Sequence, residues 1–128
     1  MTCHPFLFAM FAGTALASGT SISSTRLAER IASHDAPLIV DVRTAEEFAA
    51  GHVPGALNIP HDELVHRWSA LGARRDEEIV LYCKAGKREA LASVTLENLG
   101  FSNTRLLEGG FDAWEAAHET KVIEHPRR

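Results

Sequence analysis

The most chemically suggestive stretch of the sequence is a cysteine followed directly by a short basic loop. Cys83 precedes five residues, three of which are cationic: Lys84, Ala85, Gly86, Lys87 and Arg88. A thiolate is a strong nucleophile, and neighbouring positive charge favours the thiolate over the thiol. A free cysteine is more often a small buried apolar residue, and a basic cluster is often only a solvated surface. Their combination favours a reactive Cys83 whose loop binds an anion.

The segments on either side of this loop predict a strand and a helix. Residues 79–82 are apolar or aromatic, which predicts a short buried strand. After the loop, apolar residues recur at roughly helical spacing: Leu91, Val94, Leu96 and Leu99. A loop that enters a helix directs several free N–H groups at one point, where they stabilise an anion. One helix terminus contributes about 1 kcal/mol, so the N–H groups and the basic side chains must act together to hold a thiolate.

An uncharged segment opens the chain. Residues 1–17 contain no Asp, Glu, Lys or Arg and end in Ala15-Leu16-Ala17, a pattern typical of signal-peptide cleavage sites. The segment is too short to cross a bilayer as a stable helix. We therefore predict a secretory signal peptide over 1–17, a domain over 18–128, and a periplasmic or secreted protein that does not associate with the membrane after cleavage. The lack of Lys or Arg in the segment leaves a misassigned start codon or an apolar tail as the alternative, with a cytoplasmic protein.

Removal of this segment would change the cysteine count. Cys3 would leave with the segment, and Cys83 would be the only cysteine of the mature chain. A single cysteine cannot form an internal disulfide. An unpaired reactive thiol in an oxidising compartment is exposed to damage, so its presence also favours a chemical use.

Charge and residue spacing exclude two classes of function. The net charge of −4 is spread along the chain and offers no basic face for nucleic acid. The histidines never fall into a metal-ligand spacing with Cys83 or with a pair of carboxylates. We predict no metal and no other cofactor.

The order of elements predicts one α/β domain with a mainly parallel sheet. In chain order we expect a helix over 25–34 capped by Ser24 or Thr25, a strand over 37–42, a helix over 45–51, a short strand before Pro60 and a helix within 61–71. The strand 79–82 and the helix that follows the Cys83 loop come next, and a strand over 104–107 and a last helix over 111–117 complete the domain. The site of such a sheet lies beyond the carboxyl ends of its strands. Asp41 and Arg43 reach that edge beside Cys83, and we assign them a supporting role in which Arg43 can pair with Glu47.

Four motifs in register are similar to one known family. They are Asp41-Val42-Arg43, GHVPGALNIP from Gly51 to Pro60, CKAGKR from Cys83 to Arg88, and EGGFDAW from Glu108 to Trp114. In this order and at this spacing they resemble the rhodanese homology domain, over about residues 22–117. The resemblance implies a single domain with a five-stranded, mainly parallel sheet and helices on both faces, of the kind found in small periplasmic rhodaneses.

The resemblance also implies a reaction. Rhodaneses move a sulfane sulfur from thiosulfate, or a similar small anionic donor, to a thiophilic acceptor such as cyanide, a small thiol or a protein thiol. By position, Cys83 would carry the sulfur as a persulfide, and the N–H groups of residues 84–88 would surround it. Lys84, Lys87 and Arg88 would orient the donor and stabilise the leaving sulfite. No general base or cofactor is implied, because the thiolate is already formed.

Two other functions remain as alternatives. A persulfide carrier or a thiol-sensing module would use the same cysteine with little turnover. A phosphatase or arsenate reductase of the related type has a seven-residue loop that fits a phosphate, whereas Cys83 to Arg88 is a loop of six. The shorter loop favours sulfur.

The sequence departs from the family pattern at two positions of the site. Lys84 stands where many members have Arg, which removes a bidentate donor. Glu89 stands where a small Ser is common. A carboxylate in the first turn suits the helix dipole, but it would oppose a bound anion if its side chain points inward.

Overall fold

The structure is a computed structural model, and it describes residues 20–118. A sheet of five strands has the order β1-β5-β4-β2-β3, and every neighbouring pair is parallel. The strands are β1 Thr20–Ile22, β2 Leu38–Asp41, β3 Leu57–Asn58, β4 Ile79–Tyr82 and β5 Thr104–Leu107. The helices are α1 Ser24–Ala32, α2 Ala45–Ala50, α3 Leu64–Arg67 with a 3₁₀ turn over Trp68–Leu71, α4 Lys87–Asn98 and α5 Gly110–Ala117. The predicted α/β architecture is confirmed.

The central strand β4 explains the continuous apolar run that precedes the cysteine. All four of its residues are buried, because helices cover both faces of the sheet. On one face Leu81 and Cys83 pack with Leu96 of α4. On the other face Tyr82 packs with Phe111 of α5. Cys83 therefore leaves the sheet at its centre, between two layers of helices.

The main differences from the sequence predictions concern strand β1, the start of helix α1 and helix α3. Strand β1 was not predicted, because it is three residues long at a sheet edge, with Thr20 and Ser21 among its residues. Helix α1 is capped by Ser23, whose side chain accepts the Arg26 N–H, and not by Ser24 or Thr25. The helix predicted within 61–71 begins at Leu64 and becomes a 3₁₀ turn at Trp68.

The buried face of helix α4 does not include all of the apolar residues whose spacing predicted the helix. Leu91 and Val94 are 56% and 55% exposed. The buried residues are Glu89, Ala92, Ser93 and Leu96, which follow an i, i+3, i+4, i+7 stripe. Small side chains at 92 and 93 bring the helix close to the sheet, and Ser93 lies within hydrogen-bond distance of Thr104 at 3.3 Å. Because Glu89 belongs to this stripe, its side chain points inward.

Among the described residues, no helix is long and apolar enough to cross a membrane. The predicted signal peptide over 1–17 lies outside the described residues.

Candidate active site

Cys83 lies where β4 ends and the chain turns toward α4. The residue is only 1% exposed. The Gly86 N–H donates a hydrogen bond to its Sγ at 3.0 Å, so the loop curls back over the sulfur. Gly86 adopts φ 130°, a conformation that costs another residue on the order of 1–3 kcal/mol. A glycine at this position is what allows the loop to place an N–H on the sulfur.

The start of α5 holds the other side of the loop. The Phe111 N–H donates to the Cys83 carbonyl at 2.8 Å, and the Asp112 N–H donates to the Lys84 carbonyl at 3.0 Å. In a trans peptide the C=O and N–H groups point in opposite directions, so these bonds turn the N–H groups of Lys84 and Ala85 away from α5. The chain can come this close because residue 110 is glycine, where a Cβ would meet the carbonyl groups of Cys83 and Lys84.

Two of the three cations of the loop are paired with carboxylates. Arg88 binds Glu47 through two bonds of 2.7 and 3.1 Å. The Arg88 guanidinium is the main cause that lowers the pKa of Glu47 to about 2. Lys84 binds Asp112 at 2.9 Å, and both side chains are exposed. Lys87 is exposed and forms no ion pair with any residue between 20 and 118.

The predicted pair between Arg43 and Glu47 is wrong. Arg43 binds Asp41, with Nη2 to Oδ2 at 2.6 Å and Nε to Oδ1 at 3.0 Å. Asp41 is 0% exposed and also accepts the backbone N–H of Arg43. Glu47 is left for Arg88, because the Thr44 capping box fixes it at the start of α2, facing the cysteine loop. The sequence showed both candidate carboxylates but not their directions.

Asp41 and Arg43 lie at the predicted carboxyl edge of the sheet, where they link neighbouring elements. The Arg43 guanidinium lies 4.4 Å from the ring centre of Phe111 and donates to the Gly51 carbonyl at 2.7 Å. Asn58 donates to the carbonyls of both Asp41 and Arg43 at 3.0 Å. The pair therefore joins the ends of β2 and β3 to α5, whose first residues hold the cysteine loop.

Glu89 lies beneath the loop. It is 4% exposed, and its Oε1 accepts the Cys83 N–H at 3.0 Å. Burial raises the pKa of Glu89 from 4.5 to about 7, and the hydrogen bond from Cys83 opposes part of this rise. The sequence identified the residue but could not give the direction of its side chain.

A cleft of about 230 Å³ opens beside the loop. Its lining combines an apolar base with charges of both signs: Arg43, Glu47, Ala50, Gly51, Lys84, Phe111, Asp112 and Glu115. The acidic residues Asp112 and Glu115 come from α5. Asp112 belongs to the EGGFDAW motif, but the sequence assigned neither residue to the site. Within residues 20–118 no cluster of His, Cys, Asp or Glu has the arrangement of a metal site.

A family model described as the rhodanese-like domain matches residues 23–117. The chain belongs to the rhodanese-like domain family. The resemblance found in the sequence, over about residues 22–117, is thereby confirmed.

Several rhodanese-like relatives match over nearly their full length. A sulfurtransferase of Allochromatium vinosum is 34% identical over 102 residues, which are 80% of this chain and 92% of the relative. The human thiosulfate:glutathione sulfurtransferase is 35% identical over 111 residues, covering 77% and 96%. The solved structure of the human single-domain sulfurtransferase TSTD1 aligns with a TM-score of 0.67 at 31% identity, covering 77% and 97%. These relatives support a rhodanese-type sulfurtransferase.

Proposed function

We propose that the protein transfers a sulfane sulfur from thiosulfate, or a similar anionic donor, to a thiophilic acceptor through a persulfide on Cys83. The observation that carries this proposal is the 3.0 Å hydrogen bond from the Gly86 N–H to Sγ at the end of the central strand. The fixed peptides of Lys84 and Ala85 add two N–H groups that α5 does not use. A backbone donor held on the sulfur, as the Gly86 N–H is, favours a negatively charged sulfur.

The reaction needs no oxidant or reductant from outside. The Cys83 thiolate attacks the outer sulfur of thiosulfate, a sulfur–sulfur bond forms to Sγ, and the bond to the sulfonate sulfur breaks. Sulfite leaves with that electron pair. Cyanide then attacks the outer sulfur of the persulfide, thiocyanate departs and the thiolate returns. A thiol acceptor reacts in the same way as its thiolate.

The cations of the loop divide into two groups in this proposal. Lys87 is exposed and is available to attract a dianionic donor. Lys84 and Arg88 are held by Asp112 and Glu47, so they position charge but attract an anion less strongly than free cations. We expect this pairing to weaken the binding of thiosulfate. Lys84 in place of the Arg that many family members have removes a bidentate donor and should act in the same direction.

A small thiol is the acceptor that the cleft beside the loop suits best. Its walls carry both cations and carboxylates, which match a zwitterionic thiol such as glutathione. The human relative is named for transfer from thiosulfate to glutathione. A persulfide carrier that passes its sulfur to a protein thiol is the alternative, and it differs from an enzyme in its slow turnover with small acceptors. We also propose export, on the basis of the sequence of residues 1–17.

The mass of the intact protein tests the reaction directly. We expect thiosulfate to add one sulfur atom to the purified chain, and cyanide to remove that sulfur as thiocyanate. The Cys83→Ser variant should gain no sulfur, because its hydroxyl group does not form a persulfide. The matched control is Cys3→Ser, which removes the other cysteine and should behave as wild type.

The same experiment separates the alternatives. If Cys83 gains no sulfur from thiosulfate, the proposed reaction is wrong, and turnover of phosphate esters or arsenate becomes the next assay. If sulfur is gained but leaves slowly with cyanide and glutathione, the carrier is favoured over the enzyme. After expression with an export pathway, a mass that corresponds to a chain starting at Ser18 would support the signal peptide.

Release of Lys84 should improve binding of the donor. In Asp112→Asn the backbone N–H still holds the Lys84 carbonyl, but the carboxylate partner of Nζ is lost. We expect the KM for thiosulfate to fall about threefold with stability changed by less than about 0.5 kcal/mol, since both partners are exposed. Asp76→Asn is the control, because it also removes one negative charge and breaks an exposed pair, with Arg74. An equal fall of KM in the control would attribute the effect to net charge alone.

A further inference from the structure

Glu89 joins the first turn of α4 to the residue that carries the thiol. Its Oε1 accepts the Cys83 N–H at 3.0 Å, and its side chain belongs to the buried stripe of the helix. The reaction described above has no use for a carboxyl group at this place. The carboxyl group is nevertheless buried and forms a hydrogen bond with the backbone of the nucleophile itself.

No cation compensates this carboxyl group. Within residues 20–118, Glu89 forms no ion pair, and Arg88 and Lys84 are committed to Glu47 and Asp112. The pKa of Glu89, raised to about 7, has only two causes, burial and the Cys83 N–H. The group therefore changes charge within the neutral pH range.

The other charged groups near this end of α4 are paired or exposed. Asp41 pairs with Arg43 at the end of β2, and Glu63 pairs with Arg67 beside α3. Arg105 of β5, a strand that packs against α4, pairs with Glu78 at the opposite end of β4. The remaining titratable side chains on the loop, around α3 and on α4 are at least partly exposed: Lys87, His61, Asp62, His66 and Glu97. Among the described residues, none of them forms a hydrogen bond with Glu89. Among the described residues, Glu89 is thus the buried carboxyl group that forms a hydrogen bond with the Cys83 N–H, and it does so without a compensating charge.

We propose that Glu89 is a positioning residue that makes the reactivity of Cys83 depend on pH. When neutral, its carboxyl group accepts the Cys83 N–H and adds no charge beneath the loop. When ionised, it places a negative charge there, which opposes both the thiolate and the approach of a dianionic donor. Rising pH charges Glu89 and so increases this opposition. The part concerning the donor rests on the proposed sulfur transfer, whereas the part concerning the thiolate does not.

The test compares rates of persulfide formation from thiosulfate, between about pH 5.5 and about pH 8.5, in the full chain and its variants. Glu89→Gln keeps an oxygen that can accept the Cys83 N–H but cannot ionise. We expect the rate ratio of Glu89→Gln to wild type to be close to one at the acid end, and to rise to about tenfold at the alkaline end. The midpoint should lie near pH 7. Glu97→Gln is the matched control on the same helix, and its ratio should not change with pH.

A second readout separates this proposal from the proposed function. Alkylation of Cys83 by iodoacetamide, a neutral reagent, reports the thiolate without any sulfur donor, and Cys3→Ser in the background leaves Cys83 as the only cysteine. If thiosulfate fails with every variant but the alkylation ratio rises with pH, the role of Glu89 stands and sulfur transfer is wrong. If thiosulfate reacts but both ratios are flat, the role of Glu89 is overturned. Should Glu89→Gln fail to fold, Glu89→Ala also removes the charge and must show the same rise.

Discussion

Replacement of Gly110 by alanine is expected to lower the free energy of unfolding by roughly 3 kcal/mol or more and to disable the cysteine loop. A Cβ at this position would lie 2.5 Å from the Lys84 carbonyl oxygen and 2.7 Å from the Cys83 carbonyl oxygen. Both oxygens accept hydrogen bonds from the start of α5, so neither can move without breaking one. Either α5 or the loop must shift, and the N–H groups of Lys84 and Ala85 would lose their orientation. Urea unfolding and the mass test for persulfide measure the two effects.

Gly72→Ala is the control for the backbone conformation of Gly110. The two glycines have almost the same φ, 62° and 63°, but a Cβ at position 72 would meet no atom within 4 Å. Alanine at position 72 should therefore cost only the left-handed conformation, about 1–2 kcal/mol, and leave the reaction intact. If both variants lose the same stability, close contact with the cysteine loop is not what requires glycine at position 110.

The second large effect is expected from Asp41→Asn. This change removes the carboxylate from a pair whose side chains are 0% and 5% exposed and leaves the Arg43 guanidinium charged and buried. Loss of one partner of a buried pair costs about 3–5 kcal/mol, because the remaining charge has neither water nor a counter-ion. The midpoint of urea unfolding should fall accordingly.

An exposed pair with similar chemistry provides the comparison. Asp76 accepts a hydrogen bond from the Arg74 Nε at 3.1 Å, also across two residues, but its side chain is 77% exposed. Asp76→Asn should change the free energy of unfolding by less than about 1 kcal/mol, since surface pairs contribute little. Comparable losses in the two variants would contradict burial as the source of the Asp41 effect. In the double variant Asp41→Leu/Arg43→Met, with no charge left buried, part of the stability should return.

Elements that can be recognised from their own residues could be predicted from the sequence. The apolar run of β4 predicted the bounds Ile79–Tyr82 that the structure shows, and the predicted bounds Thr104–Leu107 of β5 are also those of the structure. Strand β1 could not be found, because its hydrogen bonds with β5, and not its composition, make it a strand. The apolar spacing predicted helix α4 but did not identify its buried face, because close packing on the sheet selects the small Ala92 and Ser93.

Some features of the candidate site could likewise be predicted from the sequence, and others could not. Cys83, the glycine in its loop and the edge of the sheet follow from local sequence. The partners of the charged residues do not, because each depends on where a distant element comes to lie. Arg88 meets Glu47 from α2, and Lys84 meets Asp112 from α5. Such pairings link residues far apart in sequence, so only the folded structure can show that two of the three cations are occupied.

The pairing of β1 with β5 has a consequence for the order of folding. Thr20 pairs with Arg105, and Ile22 pairs with Leu107, so the first strand of the sheet needs the last one before it can join. Contacts between distant parts of a chain form late, because a large loop must first be closed. The three strands β2, β4 and β5 can associate without β1. Cys83 therefore emerges from the part of the sheet that can assemble first, and β1 completes that sheet only after β5 has joined it.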